Sequence, residues 1–140
     1  MTPRSAAAVW GLMLALLVAA AACGAGDPLK MTELRRARSG EMDVILLSAH
    51  DGLRHGKDAF TIEFRAVPDG HLVDVGSVRA SANMPMPGMP MFGSIDVART
   101  GVLGRYAANG EFSMAGTWRM TIQWDGPAGQ GSVTFPGTVQ

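Results

Sequence analysis

Four methionines share one short segment with three prolines and a glycine. It reads Met84-Pro-Met-Pro-Gly-Met-Pro-Met91. Residues 86–89 fit a type II turn, with proline second and glycine third, and Pro85 and Pro90 stiffen both approaches. Thioether sulfur is a soft ligand that favours Cu(I) or Ag(I) over hard cations, and disulfide chemistry in an oxidising compartment does not consume it. The segment therefore predicts a copper or silver site whose ligands are Met84, Met86, Met89 and Met91.

The elements that would hold this segment are short strands, because apolar residues after position 42 recur at every second position. The alternation is regular over residues 59–67 and 117–124, which puts one set of side chains in a core and the other in water. We predict seven strands, separated by turns rich in Gly and Pro: 42–48, 59–67, 72–83, 91–98, 105–112, 117–124 and 132–139. This pattern predicts an all-β fold, an immunoglobulin-like β-sandwich of about seven antiparallel strands.

Antiparallel strands add neighbours to the methionine segment, since successive connections then alternate between the two ends of the domain. The connections that share one end are the first, third and fifth: residues 49–58, 84–90 and 113–116. Met114, His50 and His55 lie on these connections, and we expect them as further ligands of a mixed sulfur and nitrogen site. His71 lies on the second connection and is excluded from the site.

The same residues also allow an explanation without metal. Methionine is an adaptable filler, so a methionine-rich loop can plug the open end of a sandwich or contact another protein. Prolines in such a loop can serve only to keep a strand edge from pairing with another chain. His50 and His55 then read as ordinary surface residues. Both hypotheses use the same end of the domain.

Length and charge exclude several classes of function. The chain has 140 residues, enough for one domain, and its 12 Lys+Arg balance 12 Asp+Glu, so it lacks the basic character that nucleic-acid binding needs. It carries no nucleophile elbow, zinc-protease motif or phosphate loop, and its single cysteine excludes an intramolecular disulfide. We expect no catalytic residues and a protein that is not an enzyme.

The N-terminus reads as a targeting segment. Residues 1–22 combine one positive charge, Arg4, with a continuous apolar run, which predicts a signal peptide of the lipoprotein type. Cys23 follows Ala20-Ala21-Ala22, an arrangement that resembles the lipobox of bacterial lipoproteins, although the lipobox prefers Leu where this chain has Ala20. Cys23 is therefore the predicted lipid attachment site. An uncleaved transmembrane anchor and plain secretion are the alternatives, and all three place the domain on the periplasmic side of a membrane.

The remaining chain divides into a tether and a domain. Residues 23–41 lack apolar periodicity and hold the basic cluster of Arg35, Arg36 and Arg38, which predicts a solvated tether with a lesser potential for touching anionic lipid. Residues 42–140 form the predicted β-sandwich domain.

Three separated motifs suggest a family. The motifs are Met84–Met91, Gly104-Arg-Tyr106 and Phe112-Ser-Met-Ala-Gly-Thr-Trp118. Together they resemble the YtkA-like domain over residues 39–125, and FixH-like proteins are similar. The resemblance implies an immunoglobulin-like extracytoplasmic domain, anchored to a bacterial membrane in the company of heavy-metal efflux or respiratory-oxidase assembly systems. Cys23 at the end of the signal departs from the FixH pattern and favours a stand-alone lipoprotein.

We therefore expect a membrane-anchored accessory protein that binds Cu(I) or Ag(I) through its methionine loop. Its expected partners are the membrane, through the lipid, and an efflux-pump or oxidase-assembly protein. The alternative is a non-catalytic module that docks a membrane complex through the same methionine-rich end.

Overall fold

The domain consists of antiparallel β-strands joined by short connections. The computed structural model describes residues 30–140, so the predicted signal peptide and Cys23 lie outside the described residues. The strands are β1 (Thr32–Ser39), β2 (Met42–Ser48), β3 (Gly56–Ala66), β4 (Ser77–Met84), β5 (Met91–Arg99), β6 (Arg105–Phe112), β7 (Gly116–Gly126) and β8 (Gly129–Val139). Residues 30–140 contain no helix, and hence none of the length and apolarity needed to cross a membrane.

All eight strands belong to one sheet, in the order β1-β2-β3-β6-β5-β4-β7-β8. The two edge strands, β1 and β8, lie against each other and nearly close the sheet into a barrel. Across this seam Arg35 Nε donates a hydrogen bond to the carbonyl oxygen of Pro136 at 3.2 Å. The all-β prediction is confirmed, whereas the seven-strand immunoglobulin-like sandwich is not, because eight strands form a single curled sheet.

The additional strand corrects the predicted tether. Residues Thr32–Ser39, assigned above to a tether over residues 23–41, form β1 and pair with β2. A register shift between Glu33 and Arg35 leaves Leu34 as an extra residue, so that Leu34 and Ala37 both pack against the core although they are three positions apart. Such a bulge removes the period-two pattern by which a strand is recognised in a sequence.

The basic cluster of this segment is engaged in ion pairs. Arg36 and Arg38 both bind the carboxylate of Asp43 on β2, at 3.0 and 2.9 Å. The hydrogen bond from Arg38, followed by that from Arg36, lowers the pKa of Asp43 below its ordinary value. These pairs engage two of the three arginines of the cluster, while Arg35 donates hydrogen bonds to the backbone carbonyl oxygens of Leu34 and Pro136.

The predicted strand over residues 72–83 begins later in the structure, at Ser77. Leu72 forms only an isolated bridge with Arg65. Asp74 Oδ1 then accepts a hydrogen bond from the backbone N–H of Gly76 at 2.9 Å, and Gly76 has a φ of 78°, a turn conformation that glycine adopts readily. The chain therefore turns here before it enters β4.

The core lies inside the barrel and is built on aromatic side chains. Phe64 packs edge-on against Tyr106 and Trp124, with ring centroids 5.5 and 5.3 Å away, and Phe112 packs in the same way against Trp118 at 5.4 Å. This geometry is the favoured one for aromatic pairs. Trp118 and Phe112 are fully buried.

The connections alternate between the two ends of the barrel, as the parity argument predicted. Because every pairing is antiparallel, residues 49–55, 85–90 and 113–115 share one end, which we call the Met-rich end. Residues 67–76, 100–104 and 127–128 lie at the opposite end.

Candidate metal-binding end

The methionine segment forms a hairpin loop between β4 and β5. Gly88 has a φ of 79°, as the third position of a type II turn requires, and nothing lies within 4 Å of where its Cβ would stand. The tip of this loop projects from the barrel, since Met86 is 41% exposed and Met89 is 77% exposed. Two thioethers are thus presented to solvent on a turn stiffened by proline.

The two methionines at the base of the hairpin have a different environment. Met84 and Met91 are register partners at the ends of β4 and β5. Met84 is buried, and Met91 is partly buried against the same core. A Cβ on Gly116 would stand 2.7 Å from Met84 Cε, so the glycine provides the space that the methionine fills. The four predicted ligands therefore divide into two exposed and two inward-facing side chains.

Met114 lies on the connection between β6 and β7, which crosses the Met-rich end. Two strands, β5 and β4, separate β6 from β7 in the sheet, a distance of about 14 Å at three interstrand spacings. Residues 113–115 bend as they cross this end from Phe112 to Gly116. Trp118 Nε1 donates a hydrogen bond to the carbonyl oxygen of Met114 at 3.0 Å, which fixes this connection while the Met114 side chain stays 41% exposed.

The predicted histidine ligands lie in different places. His55 shares a shallow groove of about 510 Å³ with Phe92 and Ser113, the residue before Met114. His50 lines another depression together with Asp51, Arg54 and Gln140. The structure therefore brings His55, and not His50, next to the connection that carries Met114.

His71 lies at the opposite end of the barrel, as expected. Its side chain and its backbone N–H both bind the carboxylate of Asp69 in the same turn. These hydrogen bonds lower the pKa of Asp69.

The two segments of the Met-rich end that carry methionine are free of charge, whereas Asp51 and Arg54 are exposed on the connection over residues 49–55. No Lys, Arg, Asp or Glu occurs from Met84 to Ile95 or from Phe112 to Trp118. Within residues 30–140, no three His, Cys, Asp or Glu side chains come together in a way that could hold a metal ion. A metal site here would therefore depend on thioether sulfur, which fits a soft monovalent cation and does not fit Mg²⁺ or Ca²⁺.

Two residues of this end were not predicted as part of the site. Phe92 is 76% exposed beside the loop, because the alternation along β5 turns it outward when Met91 faces inward. Trp118 is the other, through its hydrogen bond to Met114. The alternation of β5 was a signal for Phe92, whereas no sequence signal indicates where an indole N–H will donate.

The fold and this end define a small all-β domain that presents a methionine-rich surface at one end of a barrel. A family model described as YtkA-like matches residues 38–123, and the chain belongs to that family. The resemblance drawn from the sequence motifs is thereby confirmed.

A solved structure supports the fold. The crystal structure of 'as isolated' FetP from uropathogenic Escherichia coli, expressed recombinantly in the periplasm of Escherichia coli, is similar to this chain with a TM-score of 0.50 and 12% sequence identity. The similarity covers 78% of this chain and 95% of FetP. At this identity the likeness concerns the β fold alone. No curated protein matches the sequence.

Proposed function

We propose that this protein is an extracytoplasmic accessory protein, anchored to a membrane through a lipid on Cys23, that binds Cu(I) or Ag(I) at its Met-rich end. It serves a heavy-metal efflux system or the copper supply of an oxidase. The observation that carries the proposal is the collection of five methionines at one end of the barrel, three of them exposed. Membership of the YtkA-like family and the periplasmic expression of the similar FetP are consistent with the location.

The ligands that need no rearrangement are Met86, Met89 and Met114, whose side chains are already exposed. Met84 and Met91 can contribute only if they turn away from the core, which costs the packing that they make there. His55 is the better placed of the two imidazoles, since its groove adjoins Ser113. The proposal assigns binding, and no reaction, to these residues.

Thioether ligands suit the proposed compartment. They are uncharged, so the site holds a monovalent ion without protons being released from the ligands. A thiolate site in the periplasm would be exposed to disulfide formation. A carrier built on thioethers can therefore load and release copper outside the cytoplasm.

A second candidate function is a docking module that uses the same end without metal. Phe92 favours it, because a 76% exposed aromatic ring cannot coordinate copper but is well suited to contact another molecule. A Met-rich surface is also able to adapt to more than one partner.

Replacement of Met86 and Met89 together by Leu distinguishes the two candidates. Leucine preserves apolarity and approximate volume but removes both sulfur donors, at a stability cost usually under about 1.5 kcal/mol per site. We expect Cu(I) affinity, measured by competition with a chromogenic chelator, to fall at least about tenfold while the melting temperature stays unchanged. The matched control is Met42→Leu, because Met42 begins β2 at the opposite end. Unchanged affinity in the double variant would exclude this loop as the metal site.

The pH dependence of the same affinity tests the role of His55. A site of thioethers alone should bind equally well on both sides of the histidine range. If His55 coordinates the ion, affinity should decrease as the pH falls, because protons compete with the metal for imidazole nitrogen. The variant His55→Gln should abolish that decrease.

A further inference from the structure

The polypeptide enters the barrel at the Met-rich end. Thr32, the first residue of β1, pairs with Ser48, the last residue of β2. The connection that follows Ser48 belongs to the Met-rich end, so β1 starts there and runs toward the opposite end. Any anchor that precedes residue 30 is therefore joined to the domain at the Met-rich end, on the opposite side of the barrel from the β4–β5 hairpin.

The stretch of chain between anchor and domain is about as long as the barrel. Nine residue steps separate Cys23 from Thr32, which is at most about 30 Å of extended chain. Strand β8, with 11 residues, is about 35 Å long. A lipid on Cys23 thus keeps the Met-rich end near the bilayer, and the opposite end can reach the bilayer only if the tether runs back along the whole barrel.

The surface that would face the bilayer has the chemistry of a lipid contact. Met86, Met89, Phe92 and Met114 are all exposed at this end. The two segments that carry them contain no ionised side chain that would have to lose its hydration. Insertion of such side chains into the headgroup layer buries apolar area, which adds to the anchoring given by a covalent lipid.

We propose that the Met-rich end rests on the bilayer, with Met89 and Phe92 in contact with the headgroup layer. This orientation depends on the membrane anchor of the proposed function. It adds that the metal site lies on the surface that faces the bilayer. Copper or silver would then be loaded and released at the membrane surface rather than in the open periplasm.

The opposite end of the barrel supplies an internal control. Leu103 is 66% exposed in the connection between β5 and β6, which is close to the 77% of Met89. It lies between Arg99 and Arg105, which pair with Asp74 and Glu63. Leu103 therefore tests whether an exposed apolar side chain contacts lipid regardless of where the chain enters.

The experiment uses the full chain isolated from membranes and reconstituted into phosphatidylcholine vesicles that contain brominated lipid. An environment-sensitive fluorophore is attached to Met89→Cys or to Leu103→Cys. When Cys23 carries the lipid, the introduced thiol is the only one that reacts, since the chain has one cysteine. We expect at least about twofold stronger quenching at position 89 than at position 103. Equal quenching, or stronger quenching at position 103, would overturn the proposal.

Two further measurements distinguish a failure of the lipid contact from a failure of the proposed anchor on Cys23. Fatty-acid labelling of wild type and Cys23→Ser reports on the anchor independently of quenching. If wild type takes up no label but still floats with vesicles, the same pair of fluorophores is measured in the Cys23→Ser background, because an uncleaved anchor enters at the same end. A chain that does not float at all overturns the inference. If position 89 is not quenched in vesicles but is protected from a water-soluble maleimide in native membranes, the surface contacts a membrane protein. That outcome would overturn the lipid contact.

Discussion

The two classes of methionine in the hairpin should differ sharply in what they contribute to stability. Met84 is 7% exposed and fills the space beside Gly116, whereas Met89 is 77% exposed at the tip. Truncating a buried methionine to alanine removes its transfer free energy and leaves a cavity, which costs about 2–5 kcal/mol. Met84 lies at the rim of the barrel, where the loop can partly collapse, so we expect about 2–3 kcal/mol for Met84→Ala. Met89→Ala should stay within about 0.5 kcal/mol of wild type.

Urea unfolding followed by tryptophan fluorescence measures this difference, because Trp118 and Trp124 are both buried in the folded domain. For a domain of this size, 1 kcal/mol corresponds to about 4 °C, so Met84→Ala should lower the melting temperature by about 10 °C. Met84→Leu is the conservative control and should retain most of the stability. Equal unfolding free energies for Met84→Ala and Met89→Ala would refute the division of the loop into packing and exposed methionines.

Two other substitutions test contacts at the opposite end of the barrel. Gly126→Ala would place a Cβ 2.3 Å from the carbonyl oxygen of Val75, a backbone clash that should cost about 3 kcal/mol of unfolding free energy, measured by thermal unfolding. The control Gly101→Ala meets nothing within 4 Å and should be neutral. A neutral Gly126→Ala would contradict the contact. The pKa of Asp43 is lowered chiefly by its hydrogen bond from Arg38, so its contribution to stability is present above about pH 4 and is lost as the pH falls through the lowered pKa. The difference in unfolding free energy between wild type and Asp43→Asn should therefore shrink below about pH 4, and a difference that grows on acidification would reverse this assignment.

Much of the strand pattern could be predicted because it depends on local alternation. Residues 117–124 alternate regularly, and the structure has β7 there, extended by a few residues at each end. The strand that was missed, β1, has its two inward side chains three positions apart because of the bulge at Leu34. Its three arginines also resemble a solvated segment until Asp43 is brought opposite two of them. Long-range pairing, and not the composition of the segment, makes it a strand.

The candidate site shows the same limit. Sequence alone placed the methionine loop, Met114 and His55 at one end and His71 at the other, since that result needs only antiparallel neighbours and strand parity. It could not separate Met84 from Met89, because burial depends on which side chain meets Gly116 on the neighbouring strand β7. It could not separate His55 from His50 either, since the two lie on one connection and differ only in the strand that each approaches.

By itself the sequence determined the β class, the family, the turn at Gly88 and the end of the domain where the soft ligands gather. Periodicity and glycine conformation are local properties, and strand parity needs only the number of strands that precede a connection. Only the tertiary structure decided that eight strands curl into one sheet, that β1 begins at the Met-rich end, and which methionines remain exposed. These features depend on contacts between residues far apart in the chain, such as Arg35 with Pro136 across the seam. Closing such contacts requires the rest of the fold to be in place, so no short segment of the sequence records them.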